Sequence, residues 1–299
     1  MYERLLVPTD GSDVATAAVD AAVSLADTFG ASLHVVHVLD PDGMRLVGDS
    51  APSEDIQRHG RQVTDASAKT AENAGIEATT AVLEGSDAVH RTILDYAENE
   101  DVDCIVMGTH GRTGLGRLVL GSITELLLRQ SPVPVFTVHE DTEFDPEFES
   151  VLVPTDGSDC AGVAGEEAIE LARWSGAALH TIYVVDIGIT GSNANVGMIF
   201  ESLQATGERA TRAVLDRAVE AGIRDVESAV VRGIPYWSII EYAEKEAVDC
   251  IVMGTHGRTG FERYFLGSVT ERVARLADVP VLTVRGPDAP SPEEQLERL

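Results

Sequence analysis

Two stretches of this 299-residue chain hold the residue types suited to gripping an anion. Gly108-Thr109-His110-Gly111 leads on to Gly121-Ser122, and Gly254-Thr255-His256-Gly257 leads on to Gly267-Ser268. Both read Gly-x2-Gly-x9-Gly-Ser. Glycines let backbone N–H groups approach an anion closely, and a helix starting at Ser122 or Ser268 would aim its unpaired N–H groups and positive dipole end at it. The chemistry this implies is a phosphate cradle. Arg112, Arg117, Arg258 and Arg263 fall inside the same stretches and are placed to screen phosphate charge. The pattern is not a P-loop, since no Gly-Lys-Ser/Thr follows, nor a Gly-x-Gly-x-x-Gly fingerprint, since Val119 stands where the third glycine would be. Glycines that merely turn a strand into a helix would account for one per loop, whereas three recur at one spacing.

Other chemistry-bearing side chains divide differently. Asp10 and Asp156 could serve as bases or metal ligands, yet Asp-Gly-Ser-Asp ahead of a helix is also what turn and capping chemistry uses, and binding or capping is the preferred reading. His110 and His256 are either donors to phosphate or sugar, or solvated loop residues. His34 and His37, three apart in a predicted strand, point to different faces, and copy two has Tyr183 in the second place, so no metal site is expected. Cys104 and Cys250 lie in apolar runs and read as core residues, while Cys160 sits near a helix start with no partner by spacing. Trp174, Trp237 and Tyr242 are expected in a core or interface. No acid–base pair, nucleophile–histidine pair or metal spacing is evident, so no catalytic residue and no metal ligand is assigned.

The elements that must position these residues come in duplicate. Leu5 to Asp13 reappears as Val151 to Asp159, and Val102 to Thr113 as Val248 to Thr259, both offset by 146. Within each copy, short apolar runs alternate with helical periods, the pattern of a parallel sheet with crossover helices. Copy one predicts strands at Leu5–Val7, Leu33–Val38, Thr79–Leu83, Cys104–Met107 and Val133–Val138. Its helices follow Ser12, run about Glu54–Asn73 and Asp87–Glu98, and begin near Ser122. Val14, Ala17, Ala18, Ala21, Ala22, Leu25, Ala26 and Phe29 share one face of the first helix, with Ser12 and Asp13 as cap types and Gly30 as the stop. Copy two predicts strands at Val151, Leu179, Val226, Cys250 and Val281. Ligands of such sheets bind beyond the carboxyl ends of the strands where strand order reverses, here the first, second and fourth strands.

The length predicts two domains. Their expected limits are 1–139 and 150–286, with a linker at 140–149 and a loose Pro- and Glu-rich tail at 287–299. No long apolar run or secretory leader is seen, so a cytoplasmic protein is expected. A net charge of −28, with Lys69 and Lys245 the sole lysines beside twenty arginines, argues against nucleic acid as a partner. An evenly acidic surface suggests a proteome adapted to high salt.

The chain resembles a tandem universal stress protein of the ATP-binding branch, on the strength of the repeated Gly-x2-Gly-x9-Gly-Ser following a strand. The resemblance covers both halves apart from linker and tail. It implies two flavodoxin-like α/β domains, each a five-stranded parallel sheet with helices on both faces, packed as a pseudo-symmetric pair through their fifth strands. It also implies bound ATP or another adenine nucleotide, with or without Mg2+. In copy one, adenine would be held by backbone at Asp10 and Val38 beside Pro8 and Thr9. Ribose and phosphates would lie along Met107, Gly108, His110, Gly111, Gly121, Ser122 and Thr124, with Arg112 nearby. The matching positions in copy two are Pro154, Thr155, Asp156, Val184, Met253, Gly254, His256, Gly257, Arg258, Gly267, Ser268 and Thr270. Copy two keeps Gly233-Ile234-Pro235, whereas copy one reads Gly85-Ser86-Asp87 with two extra residues, so weaker or different binding is expected there. The function implied is a nucleotide-dependent stress-response module, with at most slow ATP hydrolysis. The alternatives are a nucleotide hydrolase or transferase on this fold, or an interaction module regulating a transporter with nucleotide as a structural ligand. Further homodimerisation is compatible with the resemblance, and no membrane insertion is expected.

Overall fold

The computed structural model describes residues 1–39, 54–85, 88–110, 119–142, 144–189, 196–257 and 266–286. The first half runs β1 (Arg4–Pro8), α1 (Asp13–Phe29), β2 (Ser32–Leu39), α2 (Glu54–Asn73), β3 (Ala78–Glu84), α3 (Val89–Asn99), β4 (Cys104–Gly108), α4 (Ser122–Gln130) and β5 (Val135–Val138). The second half repeats it: β6 (Ser150–Pro154), α5 (Asp159–Ser175), β7 (Ala178–Asp186), α6 (Val196–Glu220), β8 (Val226–Gly233), α7 (Pro235–Lys245), β9 (Cys250–Gly254), α8 (Ser268–Leu276) and β10 (Val281–Val284).

Local chemistry explains the helix ends. The Ala15 N–H donates to Ser12 Oγ at the start of α1, and Gly30 ends it at φ 68°, where a Cβ would be strained. The α1 face is broader than its apolar spacing indicates: Ala15, Val19 and Val23 are buried too, while Ala17 and Phe29 are half-buried. The helix is covered on two sides, by the sheet and by α2. Ser158 and Gly176 repeat both caps on α5.

All ten strands form one sheet in the order β3-β2-β1-β4-β5-β10-β9-β6-β7-β8. Each half is parallel, as the crossover helices require, and the two meet through an antiparallel pairing of β5 with β10, Val281 opposite Thr137 and Leu282 opposite Phe136. The fifth strands therefore lie at the contact, and β5 begins at Val135, two residues later than its apolar run indicates, because Pro134 has no N–H to give to the ladder, although its carbonyl accepts from Ile105 N–H. Two apolar layers cover the faces, and each runs across both halves. One holds Leu25, Phe136, Leu171 and Leu282, the other Ile93, Leu127, Ile239 and Val273.

The segment expected to link the copies feeds the first layer: Phe148 stacks on Phe136 at 6.4 Å between centroids and is 2 % exposed. Trp174 meets Phe29 of the other half at 4.4 Å, and the Tyr2 hydroxyl donates to Glu167 Oε1 at 2.6 Å. Of the two places expected for Trp237, the core is excluded, since it is 60 % exposed in the first turn of α7. Tyr242 does pack inward, its hydroxyl 3.1 Å from His180 Nδ1, as Tyr96 does with His34 at 2.9 Å. Burial pushes the Tyr242 hydroxyl up to about 12. Cys104, Cys160 and Cys250 are buried free thiols, and burial raises Cys104 and Cys250 far out of the reactive range.

Candidate nucleotide-binding clefts

Strand order reverses between β1 and β4 in the first half and between β6 and β9 in the second. The crossover helices leave in opposite directions at such a point, so a crevice opens beyond the strand ends. Each half has one, with a cavity of about 340 Å3.

The Asp-bearing turn forms one wall. Asp10 Oδ1 accepts from Ser12 N–H at 3.0 Å and from the Ser12 hydroxyl at 2.6 Å, and Gly11 takes φ 76° to make the turn. Asp156 repeats the bond to Ser158 N–H at 2.9 Å, with Gly157 at φ 78°. These carboxylates are thus held in turns, with capping serines beside them.

The glycine stretch forms the facing wall. Gly121 N–H donates to Thr109 O at 2.7 Å, and Gly267 N–H to Thr255 O at 2.7 Å, closing each loop on itself. A Cβ on Gly121 would come within 3.1 Å of His110 Cα, so the loop closes tightly here whether or not an anion binds. A Cβ on Gly257 would lie 2.5 Å from Asp156 Oδ2, so the Asp156 carboxylate would have to turn aside. Gly121 and Gly267 cap α4 and α8 with no side-chain hydrogen bond, so the first-turn N–H groups are left to face the crevice. The Thr124 and Thr270 hydroxyls donate to Gly108 O at 2.9 Å and Gly254 O at 2.8 Å, so they tie the helix start to the strand end.

The first cleft brings together Pro8, Thr9, Asp10, Val38, Met107, Gly108, His110, Gly121, Ser122 and Thr124. The second brings together Pro154, Thr155, Asp156, Val184, Met253, Gly254, His256, Gly257, Gly267, Ser268 and Thr270. Gly111, Arg112, Arg117, Arg258, Arg263 and the Ser86-Asp87 step lie outside the described residues. Several lining residues escaped sequence reasoning. His37 and Ile93 enter the first cleft, and Asp186, Pro235 and Ile239 the second. Ile93 and Ile239 share the repeat offset and an inward helix face, a signal that was available. Asp186 had one as well, since Asp40 precedes it by the same offset of 146, but only the pairing of β7 with β8 sets the residue at the cleft's lip.

The profile of the Universal stress protein family matches residues 1–139 and again 147–285. The chain belongs to that family. A universal stress protein from Mycolicibacterium smegmatis is 30 % identical over 300 residues, covering 94 % of this chain and 96 % of its own. One from Methanocaldococcus jannaschii is 41 % identical over 143 residues, 47 % of this chain and 84 % of that protein. The crystal structure of a universal stress protein from Archaeoglobus fulgidus superposes with a TM-score of 0.71 at 24 % identity, covering 94 % of this chain and 98 % of that one, a likeness of fold. This universal stress protein therefore carries two copies of the family domain in one chain. Among its described residues, no helix is long and apolar enough to cross a membrane.

Proposed function

We propose that each half binds an adenine nucleotide, ATP in the first instance, and that the protein acts as a nucleotide-dependent regulatory module of the stress response. One observation carries this reading: in both halves a helix capped only by glycine opens its N-terminus into the crevice at the switch point, opposite the Asp-bearing turn. That arrangement offers N–H donors and a dipole end to phosphate on one side. On the other it offers backbone at Asp10 and Val38, or Asp156 and Val184, to a base, with Met107 or Met253 as apolar support. Mg2+ is proposed as a companion of the phosphates, within a cytoplasmic setting. The units 1–139 and 150–286 are proposed as the two binding domains, and the acidic composition as an adaptation to high salt.

Protein purified in high salt and denatured should release adenine nucleotide, identified by chromatography and mass spectrometry, and nucleotide-free protein should bind ATP in calorimetry. No released nucleotide together with no heat across the adenine nucleotides defeats the reading. The second cleft is expected to bind more tightly, because it keeps Gly233-Ile234-Pro235 and places Pro235 on its wall.

A further inference from the structure

The two clefts differ behind the glycine stretch. In the first half the buried hydroxyl of Thr109 meets two imidazoles: His139 Nδ1 at 2.9 Å and His110 Nδ1 at 3.3 Å. His110 lines the first cleft, whereas His139 is 3 % exposed and sits just past β5, the strand joined to the other half. Its backbone N–H is held by Thr142 Oγ1 at 3.0 Å, which fixes the ring's base. In the second half Thr255 Oγ1 meets His256 Nδ1 at 3.2 Å, but its other neighbour is Cys160 Sγ at 3.9 Å, and Arg285 stands at the position of His139.

A threonine hydroxyl has one hydrogen to give. Two bare Nδ1 atoms would compete for it, and two Nδ1–H groups would leave it without an acceptor among the described residues, a costly state for a buried donor. The neutral rings are therefore tied to opposite tautomers. If Thr109 donates to His110, then His110 carries its own hydrogen on Nε2, and His139 must carry its hydrogen on Nδ1. We infer that His139 is a positioning residue for the first cleft: through the shared Thr109 hydroxyl its tautomer is coupled to that of His110. With an anion in the cleft, His110 donates from Nε2 and His139 carries its hydrogen on Nδ1. Among the described residues, the second cleft has no such tie. The anion step rests on the phosphate reading given above, while the opposition of tautomers does not.

Ring 15N shifts of the full-length protein, recorded near pH 8 where ordinary imidazoles are neutral, separate the two tautomers. His110 and His139 are expected in opposite forms in the wild type and in Thr109→Ser, which keeps the hydroxyl. In Thr109→Val the opposition is expected to be lost while His256 stays unchanged. Equal tautomers in the wild type, or opposition that survives Thr109→Val, overturns the inference. Adding ATP should move His110 toward Nε2–H and His139 toward Nδ1–H. ATP that binds the first cleft without any response at His139 overturns the link to the cleft. Opposite tautomers in a protein that binds no ATP uphold the tie and defeat the phosphate reading instead.

Discussion

Gly108 shows how little room the site leaves. Gly108 ends β4 under the first turn of α1, where a Cβ would lie 2.9 Å from Val14 O and 2.9 Å from Val14 Cγ2. A backbone oxygen cannot step aside, so Gly108→Ala should push α1 off the sheet and cost about 1–3 kcal/mol. Urea unfolding measures this, and an unchanged midpoint would show that the contact is soft. His34 offers a pH test. Burial lowers its pKa below the ordinary imidazole value, against a smaller raising effect of Glu100. The unfolded chain then takes up a proton first, so this contribution is full above about pH 6.5 and drains away as pH falls through the lower folded value. Between about pH 7 and pH 5 the loss of stability should be shallower in His34→Gln than in the wild type. Parallel slopes would remove His34 from the account.

At the scale of elements, the two halves use one set of devices with unequal chemistry. Ser158 caps α5 through Ala161 N–H at 3.2 Å, whereas Ser12 both caps α1 and donates its hydroxyl to Asp10. Ser158→Ala should therefore cost about 1 kcal/mol, and Ser12→Ala more, with ATP affinity of the first cleft falling as Asp10 is released. Equal costs in the two variants would mean that the Asp10 bond contributes nothing. A second repeated device was absent from the sequence reading: Asp103 Oδ2 accepts from Glu3 and Arg4 N–H at 2.8 Å, and Asp249 Oδ2 from Glu149 and Ser150 N–H at 2.8 Å. Both aspartates precede an apolar strand in the sequence, but only the neighbouring strand supplies the amides they hold.

Taken whole, the molecule is one sheet whose two apolar layers run through both halves, wrapped in a surface carrying a net charge of −28. Self-repulsion of that size opposes compactness at low ionic strength and is screened by salt. The Tm should accordingly rise between about 0.1 M and about 3 M KCl, and a flat or falling Tm would refute the proposed salt adaptation. Much of this was written in the sequence itself. The alternation of apolar runs with helical periods determined the fold class, and the duplicated Thr-Asp-Gly-Ser-Asp and glycine stretches determined the two copies, the helix caps and most residues of both clefts, since turn and cap chemistry is local and the repeat states it twice. Only the tertiary structure decided that Phe148 of the intervening segment belongs to the core, that Trp237 faces outward, that Asp186 and His37 reach the clefts, and that His139 shares a hydroxyl with His110. Each of these depends on residues distant in sequence meeting across strands, and neither periodicity nor spacing encodes such a meeting.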